Sequence, residues 1–181
     1  MLPSLSSDYF QFFGLEPKLR LDIADLQKRF YELSRALHPD RFMRKGAADQ
    51  QYSLDATALL NDAYRVLKDP LQRAEYVLKQ AGFEIGEQRS KDVPPELLEE
   101  VFELNMALEE MREGDASARP QLEEARTKFI GMRDEIDGQL DALYSRYDAS
   151  PGKETLGEIR SALNRRRYIR NLVNDVEKEL Q

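Results

Sequence analysis

The chain contains no cysteine and only one histidine among its 181 residues. Disulfide bonds and thiolate-held zinc or iron–sulfur centres are therefore excluded, and one imidazole leaves too few ligands for a zinc or haem site. Glycine and proline number only 9 and 8 and fall mostly at the edges of periodic segments, so no glycine-rich phosphate loop is present. No apolar run approaches the ~20 residues that cross a bilayer. The opening stretch, Met1–Ser7, has neither the basic region nor the apolar core of a secretory signal. Together these absences predict a reduced, cytoplasmic protein with no cofactor and no metal.

What is present is charge in helical periodicity. Charged residues make up 34% and hydrophobic residues 41%, the profile of a soluble, helix-rich protein. The net charge of −7 is unevenly placed. Residues 1–80 carry 12 Lys+Arg against 11 Asp+Glu, while residues 81–181 carry 15 against 23. A nearly neutral front and an acidic back argue against a nucleic-acid surface and for a division of labour. None of the many acidic residues has the spacing of a calcium loop or of paired catalytic carboxylates.

The pattern predicts an all-α protein of two domains, residues 1–80 and 94–181, joined by a linker over 81–93. A short aromatic helix comes first, with Ser7 or Asp8 as its cap, Tyr9, Phe10, Phe12 and Phe13 as its body, and Gly14 as its stop. Asp22 then caps a helix whose apolar stripe is Ile23, Leu26, Phe30, Leu33 and Leu37. That helix must end at His38-Pro39, because the residue before proline is pushed out of the α region. Residues 38–48 read as a loop. A third helix spans about Asp49–Lys68, with Tyr52, Ala56, Leu59, Leu60, Ala63, Tyr64 and Leu67 inward. Asp69-Pro70 reads as a cap and first helical residue, opening a fourth helix that stops at Gly82. After the linker, breaks near Gly114–Pro120 and Ser150–Gly152 leave helices of roughly 94–113, 119–147 and 153–180, expected to form a three-helix bundle. The middle helix approaches a heptad seam through Leu122, Ala125, Phe129, Met132, Ile136, Leu140, Leu143 and Tyr147.

The lone histidine stands in His38-Pro39-Asp40, between two amphipathic helices. Taken alone, the tripeptide is no more than a helix stop with a turn-forming aspartate. Its context is more specific: a helix with basic outward residues precedes it, and Asn61-Asp62-Ala63-Tyr64-Arg65-Val66-Leu67-Lys68-Asp69-Pro70 ends the helix that follows. That arrangement resembles a J domain. Asp8-Tyr9-Phe10, Phe13-Gly14-Leu15, His38-Pro39-Asp40-Arg41-Phe42, Pro70-Leu71-Gln72-Arg73-Ala74-Glu75-Tyr76 and Gly82-Phe83 sharpen the resemblance to the HscB family. Its members are the J-type co-chaperones of iron–sulfur cluster assembly, and the likeness extends over essentially the whole chain. It implies that His38, Pro39 and Asp40 touch the nucleotide domain of a DnaK/HscA-class chaperone and promote ATP hydrolysis. Lys28, Arg35 and Arg41 would supply basic contacts to an acidic chaperone surface. Tyr31 and Glu32 interrupt the basic run that general J proteins show on this face.

The acidic half carries a second apolar line. Leu97, Val101, Leu104, Leu108 and Met111 advance by threes and fours as one core stripe. At 100° per residue, Leu98, Phe102 and Met106 form another line on a different side, flanked by Glu99, Glu103 and Glu110. Apolar anchors rimmed by charge suit a partner surface, although a broad apolar face also suits extra core. In the last helix, Ala162, Ile169, Val173, Val176 and Leu180 are expected inward, leaving Arg167 and Tyr168 on the opposite flank. The HscB resemblance implies that Leu98, Phe102 and Tyr168, with Glu103, Met106, Glu110 and Arg167 around them, bind an IscU-like iron–sulfur scaffold protein. Met106 stands where the family often has a glutamate, so packing would carry more of that contact.

Arg160, Arg165, Arg166, Arg167 and Arg170 form a basic cluster. It lies in a net acidic domain with Arg166 aimed at the expected seam, so a solvated or snorkelling helix face accounts for it better than nucleic acid does. The reading is a non-enzymatic adaptor with no nucleic-acid or membrane partner. A J protein serving another client is the nearest alternative. An enzyme using His38 and Asp40 as acid and base, or a self-associating helical protein, is the more distant one.

Overall fold

The computed structural model describes residues 2–84 and 94–181. The chain divides into two compact units, Met1–Phe83 and Glu84–Gln181, and the described residues contain helices but no strand. The portion 85–93 of the expected linker lies outside the described residues.

In the first unit, α1 (Tyr9–Phe13) is five residues long and needs both ends fixed. Asp8 accepts from the Gln11 N–H while the Gln11 side chain returns to the Asp8 N–H, a reciprocal capping box. At the other end Gly14 has φ 64°, the left-handed conformation that favours glycine. Arg29 of α2 (Ile23–Leu37) then donates to the Phe13 and Gly14 carbonyls at 3.1 and 3.0 Å while pairing with Asp25 at 2.8 Å. The three α1 phenylalanines, Phe10, Phe12 and Phe13, are buried.

Asp22 caps α2 as expected, accepting from Ala24 and Asp25. The stripe behind it holds with one correction. Leu26 and Leu37 are fully buried and Phe30 and Leu33 half-buried, but Ile23 is exposed. It is the first residue after the cap, at the very end of the stripe. Residues 38–48 are also more ordered than a loop: Pro39–Arg41 form a single 3₁₀ turn, and α3 (Ala47–Lys68) starts two residues before the expected Asp49. Asp69 caps α4 (Pro70–Gln80) by accepting from Leu71 and Gln72, with Pro70 at the first helical position.

Arg73 of α4 is buried, and its guanidinium donates to the Leu19 and Leu67 carbonyls. One planar fork thus ties the segment before α2 and the end of α3 to α4. Tyr76, one turn on, stacks on Tyr9 at 4.5 Å and accepts the Tyr9 N–H at 3.0 Å. The motif residues that mark the resemblance are therefore the ones that close this unit.

The second unit is a bundle of α5 (Leu98–Arg112), α6 (Arg119–Ala149) and α7 (Lys153–Leu180). The pairs Arg146–Glu158, Asp137–Arg166 and Arg126–Glu177 step away from the α6–α7 turn almost equally on both helices, the mark of an antiparallel pair. Glu96–Arg165 and Arg112–Glu179 keep offsets of 69 and 67 residues along the chain, so α5 and α7 run parallel. Glu100 pairs with Lys128 at 3.1 Å; the glutamate's own backbone N–H and then Lys128 lower its pKa.

Leu97, Val101, Leu104 and Leu108 are buried, as are Ala162, Ile169, Val173 and Val176, while Met111 and Leu180 are half-buried. The α6 seam departs from the heptad at its end. Leu122, Phe129, Ile136 and Leu140 are buried, but the next core position is Tyr144, with Leu143 and Tyr147 only half-buried. A straight α-helix drifts ~20° per heptad, and by the fourth heptad that drift selects a four-residue step. Among the described residues no helix is long and apolar enough to cross a membrane.

Candidate functional site

The first candidate site is the turn between α2 and α3. Pro39 fixes its own φ and ends α2, leaving the last carbonyls of that helix without intrahelical donors. The Leu37 carbonyl is satisfied from the next helix instead, by Ser53 Oγ at 2.6 Å and Thr57 Oγ1 at 3.4 Å. Downstream, the Arg41 and Phe42 N–H groups donate to the His38 and Pro39 carbonyls, and Phe42 is buried against the Tyr52 ring at 6.2 Å. The turn is thus pinned at both ends by side chains of the first unit.

What it presents between those pins is polar and open. The Asp40 N–H donates to His38 Nδ1 at 3.3 Å, and the Asp40 carboxylate lies 3.6 Å from the same nitrogen. The two side chains remain 58% and 77% exposed. Both side chains are thus largely open to solvent, on a backbone that the proline restricts. Lys28, Arg35 and Arg41 are exposed as well. Lys28 and Arg35 lie two turns apart on one side of α2, with exposed Tyr31 between them.

The second candidate site is on the bundle. Leu98, Phe102 and Met106 are 55%, 66% and 48% exposed, whereas Leu97, Val101, Leu104 and Leu108 on the other side are buried. Glu99, Glu103 and Glu110 are exposed beside them. The parallel register of α5 and α7 sets Tyr168 level with the stretch between Leu98 and Phe102. Tyr168 and Arg167 are half-buried, and burial raises the Tyr168 pKa above its usual value of 10.0. Two arginines of the neighbouring cluster are engaged within the bundle: Arg166 is mostly covered and forks onto Asp137, and Arg165 donates to Gln139 and meets Glu96.

Sequence reasoning left out Ser53, Thr57 and Tyr52 as supports of the turn. A serine on the apolar face of α3, one turn before Ala56, was the available signal. Among the described residues no group of three or more His, Asp or Glu side chains gathers as a metal site.

An exposed His-Pro-Asp turn held between two antiparallel helices, with small flanking helices closing the unit, defines a J-domain protein, and residues 8–76 match the family model described as DnaJ domain. Residues 93–177 match a second, described as HSCB C-terminal oligomerisation domain. The chain is 33% identical over 175 residues to a co-chaperone protein HscB homolog of Vibrio vulnificus, covering 94% of this chain and 95% of that one. It is 30% identical over 158 residues to the iron–sulfur cluster co-chaperone protein HscB of Mus musculus, covering 87% of this chain and 65% of the mouse protein. The solved structure of chaperone HscB from Vibrio cholerae superposes with a TM-score of 0.65 at 31% identity, covering 95% of this chain and 96% of that one. The chain belongs to the HscB co-chaperone family.

Proposed function

We propose that this chain stimulates the ATPase of a DnaK/HscA-class chaperone through residues 1–80 and delivers an IscU-like iron–sulfur scaffold protein to it through residues 94–181, in the cytoplasm. The single observation that carries the reading is the exposure of His38 and Asp40 on a turn pinned at both ends. Asp40 offers a carboxylate to a chaperone arginine, a charge-assisted contact of about 1.5–3 kcal/mol, and Pro39 limits the entropy lost on docking. Lys28, Arg35 and Arg41 favour encounter with an acidic chaperone surface. Glu32 on the same face weakens that attraction locally.

On the bundle, Leu98, Phe102 and Met106 are the apolar anchors, with Tyr168 on the adjoining helix and Glu103, Glu110 and Arg167 as a charged rim. Covering ~100 Å² at each anchor contributes ~2.5 kcal/mol, enough for a moderate affinity from few residues. The cluster itself is cargo held by the scaffold, so the chain needs no cofactor. Holding both partners on one chain raises the scaffold's effective concentration at the chaperone.

Single-turnover ATP hydrolysis by the chaperone tests the first half. The protein should accelerate it, and His38→Gln should remove the acceleration while leaving the helical circular-dichroism signal intact. Calorimetric titration with the scaffold tests the second half. Leu98→Ala with Phe102→Ala should abolish binding; unchanged binding would favour a J protein serving a different client.

A further inference from the structure

Segment 2–7 precedes the stretch that matches the DnaJ domain, residues 8–76, yet it is fastened beside the His-Pro-Asp turn. Tyr52 Oη donates to the Pro3 carbonyl at 2.6 Å across 49 positions of sequence. The same Tyr52 ring lies against Phe42, which follows Arg41 directly and is buried. The strap leaves Leu2 46% exposed, lining a groove of about 420 Å³ with Ala36, Arg41, Phe42 and Lys45. Lys45 Nζ stands 4.5 Å from the Phe42 ring centre, so the groove has an apolar floor between two cations. An apolar side chain left half-open by a specific hydrogen bond, next to the one pinned functional turn, is arranged as a contact rather than as core.

We infer that Leu2 is part of the surface that docks the partner chaperone, and that Tyr52, through Pro3, is the positioning residue that holds Leu2 in the wall of the groove. The occupant is a segment of the DnaK-class chaperone carrying an apolar side chain next to carboxylates: the apolar group meets Leu2, Ala36 and Phe42, and the carboxylates meet Arg41 and Lys45. This rests on the chaperone reading above, and it adds a second contact that neither His38 nor Asp40 supplies.

The test measures single-turnover hydrolysis by the chaperone against co-chaperone concentration, for the unaltered full chain, Leu2→Ser, Tyr52→Phe and His38→Gln, with urea midpoints for each. Leu2→Ser should raise the half-saturating concentration about fivefold, as loss of one apolar anchor does, and leave the maximal rate unchanged. Tyr52→Phe keeps the ring and removes the strap, and should raise it about two- to threefold. If His38→Gln gives no acceleration while both other variants match the unaltered protein, this inference falls and the chaperone reading stands. A lowered urea midpoint for Tyr52→Phe with unchanged half-saturation makes the strap merely structural and overturns the proposal. So does a Leu2→Ser variant whose only change is a smaller light-scattering mass, which would give the groove to a second copy of the chain. No acceleration by the unaltered protein overturns both readings together.

Discussion

The Ser53 hydroxyl donates to the Leu37 carbonyl at 2.6 Å, joining the last residue of one helix to the interior of the next immediately ahead of His38. Both residues are fully buried, so water is not available as a substitute partner. Ser53→Ala leaves that carbonyl only the longer Thr57 contact at 3.4 Å. The variant should lose about 1–3 kcal/mol, the usual cost of stranding a buried acceptor. A urea titration followed by circular dichroism checks it, and a loss below half a kilocalorie would mean that Thr57 closes in.

Arg73 should be less replaceable than its neighbours. Its buried guanidinium reaches the carbonyls of Leu19 and Leu67 from one side chain. Hydrogen bonds from a charged donor are worth about 1.5–3 kcal/mol each, so Arg73→Ala should destabilise the first unit by about 3 kcal/mol or more. Arg73→Lys should recover little, because a single ammonium lacks the fork geometry. Chemical denaturation of the two variants side by side distinguishes a fork from a simple buried charge.

If the bundle holds the scaffold as proposed, binding and stability should separate by position on one helix. Leu98 and Phe102 are open, whereas Leu104 is 2% exposed. Leu98→Ala with Phe102→Ala should therefore change the unfolding free energy by no more than about 0.5 kcal/mol while removing scaffold binding. Leu104→Ala should cost about 2–5 kcal/mol. Thermal unfolding paired with calorimetric binding reads both quantities.

Tyr52, Tyr76 and Tyr168 all have pKa values raised above 10.0, chiefly by burial. At Tyr76 the neighbouring Asp8 adds to the shift, and the Tyr9 N–H opposes it. A raised folded-state pKa means that the unfolded chain loses its proton first. The stabilisation is thus fully present below pH about 10 and is lost as pH rises through the folded values. Absorbance titration of tyrosinate should show these tyrosines ionising late, with unfolding free energy declining in the same alkaline window. Tyr76→Phe should flatten part of that decline.

Much of the fold was legible in residue spacing. Asp22 through Leu37 announced α2 by its cap, its period and the following proline, and Asp69-Pro70 announced α4. Ile23 misled because period assigns a face but not how far the neighbouring helices extend to cover it. Tyr144 displaced Tyr147 because a heptad was extended along a helix that keeps 3.6 residues per turn. The exposed Leu98, Phe102 and Met106 line was visible as a second apolar stripe, since only one side of α5 can face the core. Ser53, Thr57 and Tyr52 were not visible as supports. Each donates to a backbone carbonyl 16 to 49 positions away, and carbonyls carry no signature in sequence.

Chaperone turnover in the presence of scaffold, with the two sites placed on different molecules, tests the coupling itself. The unaltered protein should accelerate single-turnover hydrolysis further when scaffold is added. An equimolar mixture of His38→Gln and the Leu98→Ala, Phe102→Ala double variant should give only the scaffold-independent acceleration, because no molecule holds both partners. Full scaffold-dependent acceleration by that mixture would contradict the account.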